Sequence, residues 1–204
     1  DNMSDVNADI SLYARGAHQL IFTPQHVPGT TVIFAAFLTS FTQNFTSTWN
    51  SEAVYGRIDP IGTFQGNKRT LSIAWDIPAG TLQEAKFNMK SIEQLMQIIY
   101  PSYTGGQGGI GSALTLAKPP LMRIQYANLI STADNEGLLG WIDSITWNPA
   151  LDMGMFEDQV AGPMRDLYPK VVNLQVNYSV LHEGEMGYKD GTWQGGATFP
   201  FGGL

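Results

Sequence analysis

Residues 49–77 read WNSEAVYGRIDPIGTFQGNKRTLSIAWDI, and they contain the clearest strand pattern in the chain. In its second half, at residues 69–77, apolar and polar side chains alternate. Such period-two alternation is typical of a β-strand that buries one face and exposes the other. The predicted buried face carries Leu71, Ile73, Trp75 and Ile77. We therefore expect the chain to build a sheet around this strand.

The first half of the stretch, residues 49–66, is turn-rich and carries large apolar side chains. Long loops in compact domains are uncommon, and ordered ones usually have a function. We expect this loop to lie at the sheet edge and to dock against its own domain or a neighbouring chain. For Trp49, Tyr55 and Phe64, two alternatives stay open: a plug in the protein core, or an anchor in an interface.

Two charged residues of the same loop, Arg57 and Asp59, also leave two alternatives open. They form a salt bridge inside the turn, or they fix the loop against a neighbouring subunit. An arginine guanidinium suits the second role, because its planar donors make directional contacts with carboxylates and carbonyl groups.

Further strands are predicted on both sides of this stretch. Residues 31–41 are β-branched, aromatic and nearly all apolar, which indicates a strand buried on both faces that pairs antiparallel with residues 69–77. Residues 121–130 and 139–147 flank a turn and predict a hairpin. Residues 171–181 alternate again and predict the last strand. One face of the second hairpin strand is predicted to carry Trp141, Ile145 and Trp147.

One helix is predicted after the central strand. Apolar residues recur at spacings of three and four over residues 88–100, which indicates a helix at residues 91–100. Ser91 and Gln94 resemble a capping box, and Pro101 ends the helix. The apolar stripe of this helix is expected to pack on the sheet.

These elements predict a single mainly-β domain over residues 1–204, a sandwich or barrel of antiparallel strands with one packed α-helix. An extended N-terminal arm (1–30), with a short strand near its end, precedes a β core (31–181), and an extended C-terminal tail (182–204) follows. Within the core, residues 148–168 are expected to be irregular. Because no periodic element holds them, three tail aromatics are expected at an interface: Trp193, Phe199 and Phe201.

Composition excludes several classes of protein. The chain has 204 residues and no cysteine, which excludes disulfides, thiolate metal sites and cysteine nucleophiles. A formal charge of −7 argues against tight nucleic-acid binding, which requires clustered lysine and arginine. No apolar run reaches the length of a membrane span, so none is expected. The N-terminal residues do not resemble a signal peptide.

No motif predicts a catalytic, metal or cofactor site. Residues 106–111 match G-x-G-x-x-G, but the preceding strand, following helix and later acidic residue of a dinucleotide site are missing. His18, His26 and His182 lack the spacing of metal ligands and are expected to be exposed or at an interface. A hydrolase built on paired carboxylates is the third-ranked alternative.

Several motifs in this order resemble the tail-tube fold of contractile-tailed phages, including its tube-like baseplate proteins. The resemblance covers residues 30–188 and leaves the arm and the tail outside. The motifs are VYGRIDPIGTFQG (54–66), RTLSIAWDI (69–77), SIEQLMQIIYPSY (91–103), PPLMRI (119–124), GWIDSITWNP (140–149) and LYPKVVNL (167–174).

The resemblance implies a structural virion protein that forms a homohexameric ring, in which strands of six protomers line a channel. Such a ring links the hub to the tail tube, contacts tail-tube, hub and baseplate proteins, and templates tube assembly. It is assembled in the host cytoplasm and resides in the phage tail or baseplate. DNA passes through without specific binding, which agrees with the acidic charge. The alternative is a carbohydrate- or receptor-binding β-domain of a phage fibre, monomeric or trimeric with exposed tryptophans.

Overall fold

A computed structural model describes residues 19–104, 115–132, 134, 136–159 and 165–201. Within these residues the chain is mainly β, with one α-helix and a seven-stranded antiparallel sheet. The predicted fold class is therefore confirmed.

Four predictions lie partly or wholly outside the described residues. These are residues 1–18 of the predicted arm, which include His18, the glycine motif at residues 106–111, residues 160–164 of the predicted irregular segment and residues 202–204 of the predicted tail.

The secondary-structure elements alternate strands with a single α-helix, which follows the fourth strand. In chain order they are β1 (Gln19–Pro24), β2 (Val32–Ala35), β3 (Phe37–Glu52), β4 (Ile61–Pro78), α1 (Leu82–Gln97), β5 (Ser102–Thr104), β6 (Thr115–Lys118), β7 (Met122–Tyr126), β8 (Leu138–Pro149), a 3₁₀ turn (Leu151–Met153), β9 (Met155–Gln159), β10 (Arg165–Pro169), β11 (Val171–Val180), β12 (Tyr188–Lys189) and β13 (Thr192–Trp193).

The main sheet has the strand order β2-β1-β7-β8-β11-β4-β3. Its two outermost strands, β2 and β3, are consecutive in the chain and are separated by the buried Ala36 alone. The sheet must therefore curl until its edges meet near this residue, which encloses the core on the concave face. Three short two-stranded hairpins, β5–β6, β9–β10 and β12–β13, lie outside this sheet.

The core lies where the alternation places it. The inward residues of β4 and β11 are buried, and Trp75 contacts the rings of Phe22 and Phe34 at centroid distances of 6.1 and 5.6 Å. The buried set of these two strands is Leu71, Ile73, Trp75, Ile77, Val172, Leu174, Val176, Tyr178 and Val180. The predicted faces of both strands are thus confirmed.

A β-bulge corrects the predicted face of the second hairpin strand. The register between β8 and β11 shifts at Asp143, which has no pairing partner in β11. One extra residue reverses the alternation of side chains. Trp141 therefore lies on the opposite face from Ile145 and Trp147, and the expectation of one shared face is wrong.

The helix begins earlier than its apolar stripe predicts. Helix α1 spans Leu82–Gln97 instead of residues 91–100, and Thr81 caps it. The amide of Glu84 donates to Thr81 Oγ1 at 3.2 Å, and the amide of Thr81 donates to Glu84 Oε2 at 3.3 Å, which completes a capping box. Ser91 is a buried mid-helix residue, so its predicted role as a cap is wrong. The helix contacts β2 and the β9–β10 hairpin.

The structure corrects three further predictions about which segments form strands and where those strands lie in the sheet. Residues 31–41 form parts of β2 and β3, whose edge positions bury one face at most. Residues 148–168 contain the β9–β10 hairpin, which period-two alternation did not reveal. Within the predicted arm (1–30), β1 is an inner strand of the sheet, and its Leu20 and Phe22 are fully buried.

Candidate subunit interface

Strands β3 and β4 continue beyond the main sheet as a two-stranded ribbon. Strand β4 pairs with β11 only over residues 69–78, whereas its pairing with β3 continues to Ile61. Residues 46–52 and 61–68, which we call the ribbon, thus pair with each other alone. At about 3.3 Å per residue the ribbon projects roughly 25 Å. The predicted long loop at residues 49–66 is therefore mostly strand, with a turn at its tip.

The tip of the ribbon exposes two large side chains completely. The turn at residues 53–60 is closed by the amide of Arg57, which donates to the carbonyl of Val54 at 3.2 Å. Tyr55 and Ile58 are 103% and 102% exposed, so they touch little of their own domain. An isolated two-stranded hairpin is marginally stable in water. A projecting ribbon with apolar residues at its tip therefore has the features of an element that docks on another molecule.

The turn does not contain the salt bridge considered for Arg57 and Asp59. Both residues are exposed, and within the described parts of the chain neither forms an ion pair. The salt-bridge alternative is therefore wrong. Contact with a neighbouring subunit stays a prediction.

Trp49 and Phe64 face each other across the ribbon. Their ring centroids are 5.3 Å apart in an edge-to-face arrangement, and the two side chains are 60% and 51% exposed. The indole Nε1 of Trp49 donates to Ser47 Oγ at 2.9 Å. The core-plug alternative is therefore wrong for both residues. The pair continues the inward face of β3 and β4 past the end of the core, and its role in an interface stays a prediction.

The main sheet has two open edges near this ribbon. Strand β3, of 16 residues, pairs with β4 on one side, and no described residue pairs with its other side. Strand β8 pairs with β7 only as far as Gly140, so residues 141–149 have a described partner in β11 alone. Unpaired strand edges template the addition of another strand. These two open edges bound a four-stranded segment, β3-β4-β11-β8.

The outward face of the four-stranded segment is polar and almost uncharged. Asn173 Nδ2 donates to Asp76 Oδ1 and Asn177 Nδ2 donates to Ser144 Oγ, both at 2.8 Å, so neighbouring strands are tied by side chains. The face carries two carboxylates, Asp76 within the paired rows and Asp143 at the bulge, which accepts from Trp141 Nε1 and Ser179 Oγ. None of the residues paired across the face is Lys or Arg. The rows across the face are Phe37–Asp76–Asn173–Asn148, Ser40–Ala74–Gln175–Thr146, Thr42–Ser72–Asn177–Ser144 and Asn44–Thr70–Ser179–Trp141.

The predicted tail is folded back on the chain's own sheet. The described part after β11, residues 182–201, is called the strap below. Its Phe199 packs against Phe45 of β3 at a centroid distance of 5.8 Å, and Trp193 packs against Phe199 at 5.4 Å. Phe201 is 39% exposed. Trp193 and Phe199 thus make intramolecular contacts, and the subunit-interface role of all three tail aromatics stays a prediction.

Sequence reasoning overlooked Arg69, which lies beneath the strap. This residue is 2% exposed, and burial lowers the pKa of its guanidinium to about 10. The pKa of His182 is lowered by partial burial of its ring and, second, by the nearby charge of Arg69. A signal was present, because Arg69 is in phase with the apolar residues of β4. A charge on a buried face requires specific partners.

The structure also places one histidine and bears on metal sites and membrane spans. His26 is buried at 7% exposure instead of lying at the surface. No group of three or more metal-ligating side chains is found within the described residues. In the same part of the chain, no helix has the length and apolar character that crossing a membrane requires.

Comparison with models of protein families finds no match to this chain. Comparison with curated proteins finds no significant match either. The class is therefore defined by geometry: a mainly-β protein with one packed helix, a projecting ribbon and a four-stranded segment that ends in two open edges.

Proposed function

We propose that this protein is a structural, non-enzymatic subunit of a tube-like ring in a contractile phage tail or baseplate. Six copies form the ring, which joins the hub to the tail tube, templates tube assembly and leaves a channel for DNA. Its neighbours are further copies of this chain and the hub, baseplate and tail-tube proteins. The number six and the phage tail come from the sequence resemblance, and the open edges supply the physical support.

The two open edges of the four-stranded segment are the observation that carries the proposal. Neighbouring strands in β3-β4-β11-β8 are all antiparallel, so the four alternate in direction and β8 runs opposite to β3. When a copy is rotated about an axis, its β3 can lie beside β8 of the previous copy in antiparallel orientation. The pattern then repeats without interruption around the axis. An odd number of strands would instead produce a parallel joint.

Such head-to-tail pairing closes into a ring and leaves neither of these two edges unpaired. Six copies of four strands give a barrel of 24 strands. With strands about 4.8 Å apart and tilted by about 40°, the backbone diameter is roughly 40–50 Å. A barrel of this size encloses a wide aqueous channel, since far smaller strand numbers already do so.

The polar face supports the placement of the channel. The inward face of the segment is covered by the domain core, so its bulk must lie outside a closed ring. The outward face, which is mostly Asn, Ser, Thr and Gln but also carries Phe37, Ala74 and Trp141, then lines the lumen. A lining that lacks Lys and Arg does not capture phosphate groups, because phosphate binding requires cationic side chains.

The ribbon provides the contact along the axis. It continues the direction of β3 and β4 beyond the ring wall, so its tip reaches toward the next ring or the hub. Tyr55 and Ile58 at the tip become buried in that contact, as large apolar anchors do at the centre of interfaces.

Cysteine cross-linking tests the proposed joint. The chain has no cysteine, so one pair can be introduced without background: Ser144→Cys on β8 with one of Ser40→Cys, Thr42→Cys or Asn44→Cys on β3. In one chain these positions are separated by three strand spacings, about 14 Å, which a disulfide cannot span. Oxidation at assembly concentrations is expected to give a ladder of covalent oligomers that ends at six, seen as rings by electron microscopy.

The matched control pairs Ser144→Cys with Lys90→Cys, an exposed residue of α1, which lies outside the main sheet. It is expected to give no ladder. Absence of cross-links for all three β3 positions in protein that does assemble contradicts the proposed joint. A compact trimer that binds glycans would instead favour the receptor-binding alternative.

A further inference from the structure

Two sets of contacts hold the strap on the domain. At its start, Glu183 accepts from Nη1 and Nη2 of Arg123 in β7 at 2.8 and 2.6 Å, and the contacts of its far end converge on Arg69. Nη2 of Arg69 donates to the carbonyl oxygen of Pro200 at 2.9 Å. The guanidinium carbon lies 5.4 Å from the ring centroid of Phe199 in the strap and 5.5 Å from that of Phe45 in β3. The cation thus contacts one aromatic ring of the strap and one of the sheet, and the centroids of these two rings lie 5.8 Å from each other.

The remaining partner of Arg69 belongs to the sheet. Nε and Nη2 both lie 2.6 Å from the amide oxygen of Gln43, with the amide turned so that its oxygen faces the guanidinium. Among the described residues Arg69 forms no ion pair. A buried cation whose partners are all neutral depends strongly on each of them. The strap therefore supplies contacts that Arg69 cannot replace from the sheet.

The strap itself is poorly buried. No described residue from His182 to Phe201 is fully buried, although the strap covers the buried Arg69. Upstream of the contact the strap contains Gly184, Gly187 and Gly191, and Gly187 and Gly191 have φ angles of +155° and +78°. Segments with few buried contacts open locally at low free energy. The strap thus has the properties of a segment that opens while the core stays folded.

The strap lies beside the edge proposed for ring closure. Phe45 belongs to β3, and the aromatic face that starts at Phe45 continues along the same strand to Trp49. A second copy that pairs along β3 must approach Phe45 closely. Because the strap covers part of this face, its closed position competes with the second copy.

We propose that the strap is a releasable latch, fastened by Arg69, that covers the face of β3 at Phe45 and restrains association with a second copy of this chain. This inference rests on the proposed function, since the second copy is the neighbour in the ring. The latch opens when the second copy takes over the aromatic contacts. A variant whose strap is open in a larger fraction of molecules then associates more strongly than the wild type, by the factor by which that fraction increases.

Two readouts on the full chain test the latch. The variant Arg69→Met removes the positive charge and the hydrogen-bond donors of this sheet residue. The variant Phe199→Ala removes the aromatic ring that the strap places against Arg69, and this residue is less buried than Arg69. Trypsin cleavage at Lys189, in the strap, reports opening, and cleavage at Arg57, in the ribbon turn, serves as an internal reference. Cleavage at Lys189 is expected to be on the order of 10- to 100-fold faster in Arg69→Met. Loss of hydrogen bonds from a charged group shifts the equilibrium between the closed and the open strap by a factor of this size.

Sedimentation velocity over a concentration series reports association. Both variants are expected to associate at lower concentration than the wild type, by the same factor as their gain in cleavage. Lys90→Met, an exposed residue of α1 outside the ribbon, the strap and the four-stranded segment, is the matched control and is expected to behave like the wild type. Circular dichroism verifies the fold, and Phe199→Ala carries the test alone if Arg69→Met unfolds.

Unchanged cleavage at Lys189 in both variants overturns the role of Arg69 as the fastening. Faster cleavage with unchanged association overturns the restraint on assembly. Failure of the proposed ring is distinguishable from both, because it is read from the cysteine pairs between β3 and β8 in protein whose strap is intact.

Discussion

Replacing Tyr178 by Phe tests how the point at which β8 leaves β7 is held together. The Tyr178 side chain is fully buried, and its hydroxyl lies 2.7 Å from the carbonyl oxygen of Met122 and 2.8 Å from that of Leu138. A single hydroxyl group of β11 therefore contacts one carbonyl oxygen of β7 and one of β8. The junction is where β8 changes from an inner strand to an open edge.

The expected cost of Tyr178→Phe follows from these two contacts. Phenylalanine keeps the ring and its packing but leaves the buried carbonyls without this donor. Such a loss costs about 1–3 kcal/mol of unfolding free energy, so we expect about 2 kcal/mol at pH 7. For a chain of this length, that lowers Tm by about 4–8 °C. Urea unfolding measures the free energy, and the m-value should not change.

The pH dependence gives a second, independent signature. Burial raises the pKa of Tyr178 far above its ordinary value. The folded state thus keeps the proton that the unfolded chain loses above about pH 10, so the stabilising contribution of Tyr178 is full below pH 10 and declines above it. At pH 11 the wild type's advantage over Tyr178→Phe is expected to have fallen by about 1.4 kcal/mol. Other groups titrate alike in both proteins and cancel.

Tyr188→Phe is the matched control, because Tyr188 is 77% exposed and its ring contact with Trp193 survives the change. Its unfolding free energy should stay within about 0.5 kcal/mol of the wild type. The reasoning is refuted if Tyr178→Phe is equally mild at pH 7, or if its deficit is the same at pH 7 and pH 11.

Three further changes probe the sheet, the helix and the ribbon. Gly140→Ala places a methyl group 2.0 Å from the carbonyl oxygen of Ser179, so β8 and β11 must separate; we expect a loss of about 3 kcal/mol in urea unfolding, and a wild-type value would contradict the close approach. Thr81→Ala removes the helix cap and should cost about 1 kcal/mol by the same assay, with no change speaking against the capping box. The double change Tyr55→Ser and Ile58→Ser should alter stability by less than about 0.5 kcal/mol, since both side chains are fully exposed, yet abolish the stacking of rings in electron micrographs; stacks that persist would exclude the tip from the axial contact.

The alternation of apolar and polar residues was sufficient to predict the buried faces of the central strands. In β4 and β11 the side chains that alternate in the sequence are those that the structure buries, because both strands lie inside the sheet with one face on the core. The hairpin of β7 and β8 was also predictable from its turn and flanking strands, and the pairing confirms it. In these elements the residue pattern itself indicates which face is buried.

The candidate interface was only partly predictable. The stretch at residues 49–66 was recognised as unusual, but its paired strands were not, because a ribbon without a core beneath it has no reason to alternate. The exposure of Trp49 and Phe64 required the structure, since an aromatic pair on a strand reads the same whether it faces a core or water. Arg69 was overlooked because its partners come from β3 and from the strap, far away in the sequence.

Side-chain periodicity and local propensity were enough to predict the fold class, the buried faces of the central strands and the presence of one helix. The strand order, the bulge that turns Trp141 to the other face, the two open edges and the packing of the strap over Arg69 became visible only in the folded chain. These features depend on pairing between segments far apart in the chain. Residue periodicity reports what one segment buries, and it contains no information about which other segment covers it.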